Sequence, residues 1–313
     1  MRAVEVTRFG GPEVLTLREL PDPVADAGQV VVDVAAADVL FVDTQLRAGW
    51  GGDWFQLEAP YVAGNGVAGV VRSVGAGVDP SWVGQRVLAQ TGSNGGMSPC
   101  GGYASQAAVA ESELVRVPDR LALPEALALL HDGPTVVSIL SAAELRPGQR
   151  VLINAAGGSL GTLLVPLAKA AGAEVIGAAR GKRKLDFVRE WGADRVVDYS
   201  EPDWTAELGP VDVVLDGAGG DLGAAALSLV DEGGRLLSYG ASAGEFVTGP
   251  QVVGIMELGA GMDRRAALEE MLSRAVAGEV TPLVGQTFPL AEAAAAHLAI
   301  AARETVGKTL LLV

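Results

Sequence analysis

The stretch "INAAGGSLG" (residues 153–161) has the residue types of a backbone cradle for phosphate. Glycines let an anion approach the main chain closely. A helix starting at such a turn adds N–H groups and the positive end of its dipole. The pattern G-x-G-x-x-G fits at Gly158 and Gly161, with Ala156 in its first position; alanine serves there if that residue needs no positive φ. Gly158 is expected to admit a diphosphate and Gly161 to let the helix, opening at Ser159 and Leu160, pack on the preceding strand. A second cluster lies in "EVIGAARGKRK" (174–184). An NAD site usually ends this strand in Asp or Glu, which holds the ribose 2′-hydroxyl. Here Ala179 stands there, followed by Arg180, Lys182, Arg183 and Lys184. Cations without an acid suit a 2′-phosphate. The alternatives are a glycine-rich turn that binds no nucleotide and a solvated basic helix start.

Other reactive residue types are sparse. Cys100, in "MSPCGGY", is the only cysteine. No sequence signature ties it to a histidine, so an idle or packed thiol is expected rather than a nucleophile. His297 lies in an alanine-rich helical stretch and reads as structural. His131, in "LLHDGPT", is open between a hydrogen-bonded packing residue and a catalytic donor.

These residues need elements to position them. Residues 1–118 carry valine-rich runs such as "VVVDVAAADV", broken by Gly, Pro and Asp, and read as β-rich. Helical spacing follows in "LPEALALL" and "TVVSILSAAEL". From 150 to 256 the strands "RVLINAA", "AEVIGAA", "DRVVDYS", "VDVVLDGAG", "GRLLSYG" and "VVGIM" alternate with helices, the pattern of a parallel sheet covered on both faces. Two helices, "RRAALEEMLSRAVAG" and "LAEAAAAHLAIAAR", and a terminal strand, "KTLLLV", close the chain. The expected fold class is α/β.

The 313 residues suggest about two domains, and 49% apolar residues suffice for real cores. A net charge of −15 argues against nucleic acid and anionic lipid as partners. No apolar run approaches a membrane span. The opening "MRAVEVTRFGG" lacks the apolar core of a signal peptide. With a single cysteine, these features lead to the expectation of a cytoplasmic protein.

In order and spacing, the segments "RFGGPEVL" (8–15), "VDTQLRAG" (42–49), "VAGNGVAGVVRSVGAGV" (62–78), "VGQRV" (83–87), "GGYAS" (101–105), "AAGGSLG" (155–161), "GADRVVDYS" (192–200), "VLDGAGGD" (214–221) and "VGKTLLLV" (306–313) resemble the zinc-independent quinone oxidoreductase branch of the medium-chain dehydrogenase/reductase superfamily. The resemblance implies a GroES-like β-rich domain, residues 1–118 and 263–313, and a Rossmann doubly wound parallel-sheet domain, 119–262, with the active site in the cleft. It implies NADPH as cofactor, held by Thr135 beside the nicotinamide, by Ala156, Gly158, Ser159, Leu160 and Gly161 at the diphosphate, by Lys184, Tyr199 and Arg303 at the 2′-phosphate, and by Gly240 at the end of the fifth strand. Arg180 and Lys182 join them through charge and place.

The zinc branch of that superfamily binds its metal through Cys, a His-Glu pair and a further Cys or Asp. The corresponding positions here are Leu40, Asn65-Gly66 and the neighbourhood of His131 and Asp132. One His or Asp alone builds no three-ligand site, so no metal is expected. Leu40 and Gln45 depart from the Asn and Tyr found in typical quinone reductases. With Trp50, Asn65 and His131 they are the substrate-side candidates. Trp50, Trp54 and Phe55 could form an apolar wall or a surface loop with partly packed aromatics. The expected activity is metal-free hydride transfer to a small-molecule quinone or α,β-unsaturated carbonyl (an enone). The alternatives are an enoyl reductase of lipid or polyketide metabolism and a non-catalytic NADPH-binding protein. "VVGIM" reads as an edge strand, and the resemblance implies a homodimer.

Overall fold

In the computed structural model, residues 1–51, 57–92 and 100–313 are described. The chain divides into two compact units, Met1–His131 with Val284–Val313, and Asp132–Leu283.

The first unit is built of β1 (Arg2–Val6), β2 (Leu15–Glu19), β3 (Gln29–Val39), β4 (Tyr61–Val62), β5 (Gly66–Val74), β6 (Arg86–Gln90), β7 (Gln106–Ala110), β8 (Val115–Arg116), β15 (Val284–Pro289) and β16 (Lys308–Leu312). A small sheet has the order β2-β1-β4. The larger runs β15-β16-β3-β5-β6-β8, with β7 also on β3. β3 organises it: the valine-rich run pairs antiparallel with β5, β7 and β16. Its Val30, Val32, Val34, Ala37 and Val39 enter a core shared with Val67, Val71, Val87 and Leu114. Helices Phe41–Arg47, Leu123–Leu127 and Ala293–Ala301 belong to this unit.

The second unit holds β9 (Arg150–Asn154), β10 (Glu174–Ala179), β11 (Arg195–Asp198), β12 (Val211–Asp216), β13 (Val230–Ser238) and β14 (Val252–Gly254). All pairs are parallel and the order is β11-β10-β9-β12-β13-β14. Numbered from β9, this is the doubly wound order 3-2-1-4-5-6, and the winding reverses between β9 and β12. The strands are nearly continuous apolar runs because helices cover both faces: four of the five residues of β9 are buried.

Three sequence expectations change. The resemblance places the domain boundaries at 118/119 and 262/263, whereas the compact units divide at 131/132 and 283/284. The apolar side of helix Leu123–Leu127 packs on β3, β5 and β6, so that segment stays with the β-rich unit; helix Arg264–Val276 packs on helix Asp132–Ala143 and stays with the parallel sheet. The strand expected in "VVGIM" ends at Gly254, and Ile255–Leu258 turns into a short helix. β15 was not expected, because "VGQTFP" holds glycine, glutamine and proline; its pairing with β16 supplies the structure.

Candidate active site

The carboxyl ends of β9 and β10 carry the glycine-rich turn and the basic cluster. Helix Ser159–Ala170 starts from Gly158, whose φ of −80° and ψ of 174° are ordinary extended values. A Cβ on Gly158 would meet only the Ala155 carbonyl oxygen, at 3.1 Å, so its outer side is open. Gly161 is different: a Cβ there would lie 2.5 Å from the Ala156 oxygen and 2.6 Å from the Ala155 oxygen. Only glycine lets this helix seat on its own turn. Ala156 is buried and its N–H donates to the Ala178 carbonyl at 3.0 Å, tying the turn to β10. The left-handed conformation falls one residue earlier, on Ala155, with φ at 56°. That is how alanine is accommodated in the first glycine position. Ser159, Leu160 and Gly161 form the first turn of the helix, where N–H groups have no intrahelical acceptor.

The Lys184 side chain lies against this turn. A Cβ on Gly157 would be 3.5–3.7 Å from Lys184 Cδ, Cβ and Cγ. Arg180 is exposed just beyond buried Ala179, and Gly181, at φ 77°, turns the chain into helix Lys182–Glu190. Lys182 itself pairs with Asp186 one turn on, a solvated helix pair rather than part of the cluster. Tyr199 follows β11 and stands edge-on to Trp204. An acid is present after all: Asp198, from the third strand of this sheet, accepts from the Gly181 N–H at 2.9 Å and from Ser200. Burial pushes its carboxyl up, but the Ser200 and Gly181 hydrogen bonds and the Arg180 charge outweigh this and hold it below the usual range. Glycine-rich turn, open helix start and cations at the second strand end make a setting that can hold a diphosphate with a further phosphate beside it.

Across the switch point, β12 contributes Asp216. Its carboxylate accepts from Asn154 Nδ2 and from the Ala218 and Gly219 N–H groups, at 3.0–3.3 Å. It thereby fixes a turn whose Gly219 and Gly220 have φ of 67° and 53°. Gly240, at the end of β13, packs so closely that a Cβ would lie 2.6 Å from the Gly217 oxygen. Thr135 lies in the first turn of helix Asp132–Ala143. Asp132 at that helix start accepts the Ser159 hydroxyl, linking the helix to the glycine-rich turn.

Among the substrate-side candidates, Leu40 precedes helix Phe41–Arg47 and its N–H donates to Asp43 Oδ2 at 2.8 Å. Gln45 is partly buried in that helix, and Trp50, 57% exposed, follows it. Trp54 and Phe55 lie outside the described residues. Asn65 is buried and accepts from the Gly92 N–H at 3.2 Å, a link between loops. His131 Nδ1 lies 2.9 Å from Asp38 Oδ2, and Lys308 Nζ is 3.0 Å from the same oxygen. Arg303, at φ 61° after helix Ala293–Ala301, holds its guanidinium 4.9 Å over the Phe41 ring. Thr135, the glycine-rich turn, Arg180, Lys184, Tyr199 and Gly240 therefore belong to the parallel-sheet unit; Leu40, Gln45, Trp50, Asn65, His131 and Arg303 belong to the β-rich unit. Cys100 is exposed.

A second buried network was also beyond the sequence reading. Tyr103 donates to Asp43 Oδ2 at 3.2 Å and lies 3.1 Å from His297 Nε2. Burial pushes Asp43 up to about 7 and His297 down to about 3. The signal for Asp38 and Lys308 was present, since each is a charge inside an apolar strand ("AAADVL", "GKTLLLV"). Nothing in the sequence paired them. Among the described residues no group of three or more His, Cys, Asp or Glu is arranged to hold a metal ion, and no helix is long and apolar enough to cross a membrane.

The alcohol dehydrogenase GroES-like domain family matches residues 26–119, and the zinc-binding dehydrogenase family matches residues 191–311. A quinone oxidoreductase of Pseudomonas aeruginosa is 32% identical over 99% of both chains. A 2-haloacrylate reductase of a Burkholderia species is 31% identical over 99% of this chain and 98% of its own. The crystal structure of Escherichia coli quinone oxidoreductase complexed with NADPH superposes with a TM-score of 0.88 at 28% identity, covering both chains fully. With a β-rich unit, a parallel sheet of order 3-2-1-4-5-6 and relatives matched end to end, this chain belongs to the quinone oxidoreductase branch of the medium-chain dehydrogenase/reductase superfamily.

Proposed function

We propose that the chain is an NADPH-dependent reductase that works without a catalytic metal and acts on a quinone or an α,β-unsaturated carbonyl. The observation that carries this reading is the Lys184 side chain lying on Gly157, with Arg180 at the end of the second strand. It puts cations beside a diphosphate turn, where the extra phosphate of NADPH would bind. The NADPH complex of the Escherichia coli relative and the reductase name of the Burkholderia relative support cofactor and reaction class.

Gly158, Ser159, Leu160 and Gly161 would hold the diphosphate, and Arg180, Lys184 and Tyr199 the 2′-phosphate. Bound NADPH supplies a hydride. The protein's own work is to fix both reactants and to keep water away. Leu40, Asn65 and Gly66 leave no ligand set for zinc, and an activated acceptor needs no Lewis acid.

Titration of NADPH and NADH against the wild type and Arg180→Ala/Lys184→Ala tests the reading. Charge-assisted hydrogen bonds are worth roughly 1.5–3 kcal/mol each, reduced here by exposure and by Asp198. NADPH affinity should fall by about tenfold to a hundredfold in the double variant, with NADH nearly unchanged. Equal affinities in the wild type, or equal losses, would refute it. Elemental analysis with chelator treatment tests the metal: stoichiometric zinc whose removal abolishes turnover contradicts the metal-free part. β14 is an edge strand and Met256 beside it is 81% exposed, which supports the proposed homodimer. A monomer mass in light scattering would contradict it.

A further inference from the structure

Asp43, Tyr103 and His297 form a hydrogen-bonded chain inside the β-rich unit. Asp43 lies on helix Phe41–Arg47, Tyr103 in the segment before β7, and His297 on helix Ala293–Ala301, which packs on the first helix. Tyr103 and His297 are fully buried and Asp43 is 4% exposed. The Tyr103 hydroxyl lies 3.2 Å from Asp43 Oδ2 and 3.1 Å from His297 Nε2. Its ring is seated against Gly64, at φ 87°, where a Cβ would lie 2.1 Å from Tyr103 Cδ1. The hydroxyl is thus held between two groups that can each accept from it.

A hydroxyl has one hydrogen, so the three residues must agree on its direction. With Asp43 ionised, the hydroxyl donates to Oδ2, and its oxygen accepts a hydrogen from His297 Nε2. With Asp43 protonated, the order reverses. Oδ2 also accepts from the Leu40 N–H at 2.8 Å, whereas Oδ1 is buried and has no hydrogen-bond partner among the described residues. A proton on Oδ1 would find no acceptor, but on Oδ2 it points to the Tyr103 oxygen. Tyr103 then donates to Nε2, and the neutral imidazole carries its hydrogen on Nδ1.

The surroundings decide which member titrates. Burial pushes His297 down to about 3, and the Arg47 charge adds to this. Burial likewise lifts Tyr103 well above its usual range. Both therefore stay neutral near pH 7. Burial pushes the Asp43 carboxyl up to about 7, with the Leu40 N–H opposing and the Asp38 charge adding. β3 brings Asp38 towards Asp43, together with His131. β4 brings Tyr61, itself pushed up to about 12 by burial. Arg47 comes from the same helix as Asp43, with Glu13 of the turn Pro12–Val14 acting on it. Lys308 of β16 and His131 are both held on Asp38 Oδ2. Asp38 and His131 are wedged against Gly66, where a Cβ would lie 2.4 Å from Asp38 Oδ1 and 2.7 Å from His131 Cε1.

We propose that this chain is a proton-driven switch: one proton taken up reverses the Tyr103 hydroxyl and moves His297 from its Nε2–H to its Nδ1–H tautomer. The atoms balance. A proton from water joins Nδ1, the Nε2 proton passes to the Tyr103 oxygen, and the Tyr103 proton passes to Asp43 Oδ2. The imidazole ends neutral, and the carboxylate charge beside the Leu40 N–H is gone. The switch is internal to the β-rich unit and independent of the reductase reading.

The test is the tautomer of His297, read from the 15N signals of its ring in the free protein. These signals are assigned by their loss in His297→Gln. The wild type should show Nδ1–H at about pH 5 and Nε2–H at about pH 9, with a neutral ring throughout. Tyr103→Phe cuts the chain and Asp43→Asn removes the titrating group, so in both variants the tautomer should be the same at the two pH values. Asp43→Asn carries the test if the phenylalanine variant does not fold. One tautomer at both pH values in the wild type overturns the proposal. So does a doubly protonated ring at pH 5, or a tautomer change in either variant as large as in the wild type.

Discussion

The two units satisfy buried polar groups by different means. In the parallel-sheet unit, Asp216 accepts from two backbone N–H groups of its own turn and from Asn154 on the adjacent strand. In the β-rich unit, Asp38 Oδ2 is held by side chains from distant segments, one of them 93 residues away. Main-chain donors come with the turn that forms them, whereas side-chain partners exist only once the sheet is assembled. A site built of backbone tolerates surface drift as long as its glycines remain. One built of side chains depends on each partner.

Removing one partner should therefore be most damaging in the β-rich unit. Lys308→Met leaves the Asp38 charge buried with His131 as its remaining polar partner, and a loss of about 3–5 kcal/mol is expected in urea unfolding. Asp38→Ala/Lys308→Met should recover most of it. A double variant no more stable than the single would show that the charge is not the cost, and the contrast between the units would weaken.

In the parallel-sheet unit the corresponding weak point is a glycine. Gly161→Ala brings a Cβ to 2.5 Å from backbone oxygen that cannot rotate aside. A loss of about 1–3 kcal/mol, together with weaker NADPH binding, should appear in denaturation and titration. Unchanged binding would show that the helix start does not carry the diphosphate.

A smaller effect separates the groups within the β-rich unit. His297, which burial pushes down to about 3 from its ordinary 6.5, adds stability above pH 6.5 that is lost as pH falls toward 3. Asp43, raised to about 7 from 3.8, acts oppositely: its contribution is present below 3.8 and lost as pH rises through 7. Between about pH 4 and 6.5 the two oppose each other. The urea midpoint of His297→Gln should lie further below wild type at pH 7.5 than at pH 4.5. A constant gap would mean that His297 titrates alike in the folded and unfolded chain.

The smallest effect is a gain. Ala155 holds φ at 56°, and a left-handed L-residue costs roughly 1–2 kcal/mol. Glycine relieves that strain at an entropic cost in the unfolded chain. Ala155→Gly should raise stability by under about 1 kcal/mol, read as a small rise in Tm. A fall would mean that the Ala155 side chain contributes packing of its own.

How much was legible in the sequence follows the same division. All six parallel strands, the glycine-rich turn and the basic cluster could be read locally, because apolar runs, glycines and helix starts act within a few residues. Asp198 was missed beside the cluster: it belongs to the following strand, and only the β10–β11 register brings it to Gly181. β15 was missed because its pairing with β16, rather than its composition, makes it a strand.

The sequence by itself determined the alternation of strands and helices, the glycine-rich turn after β9 and the residue types at the zinc-ligand positions. Each is set by local propensity and side-chain identity. Only the tertiary structure decided that Asp38, His131 and Lys308 share one oxygen, that Gly66 must stay bare beside them, and that Asp43, Tyr103 and His297 form a second buried network. The physical reason is register: β3 pairs with β5 on one side and β16 on the other, and this places residues remote in the chain within hydrogen-bond reach.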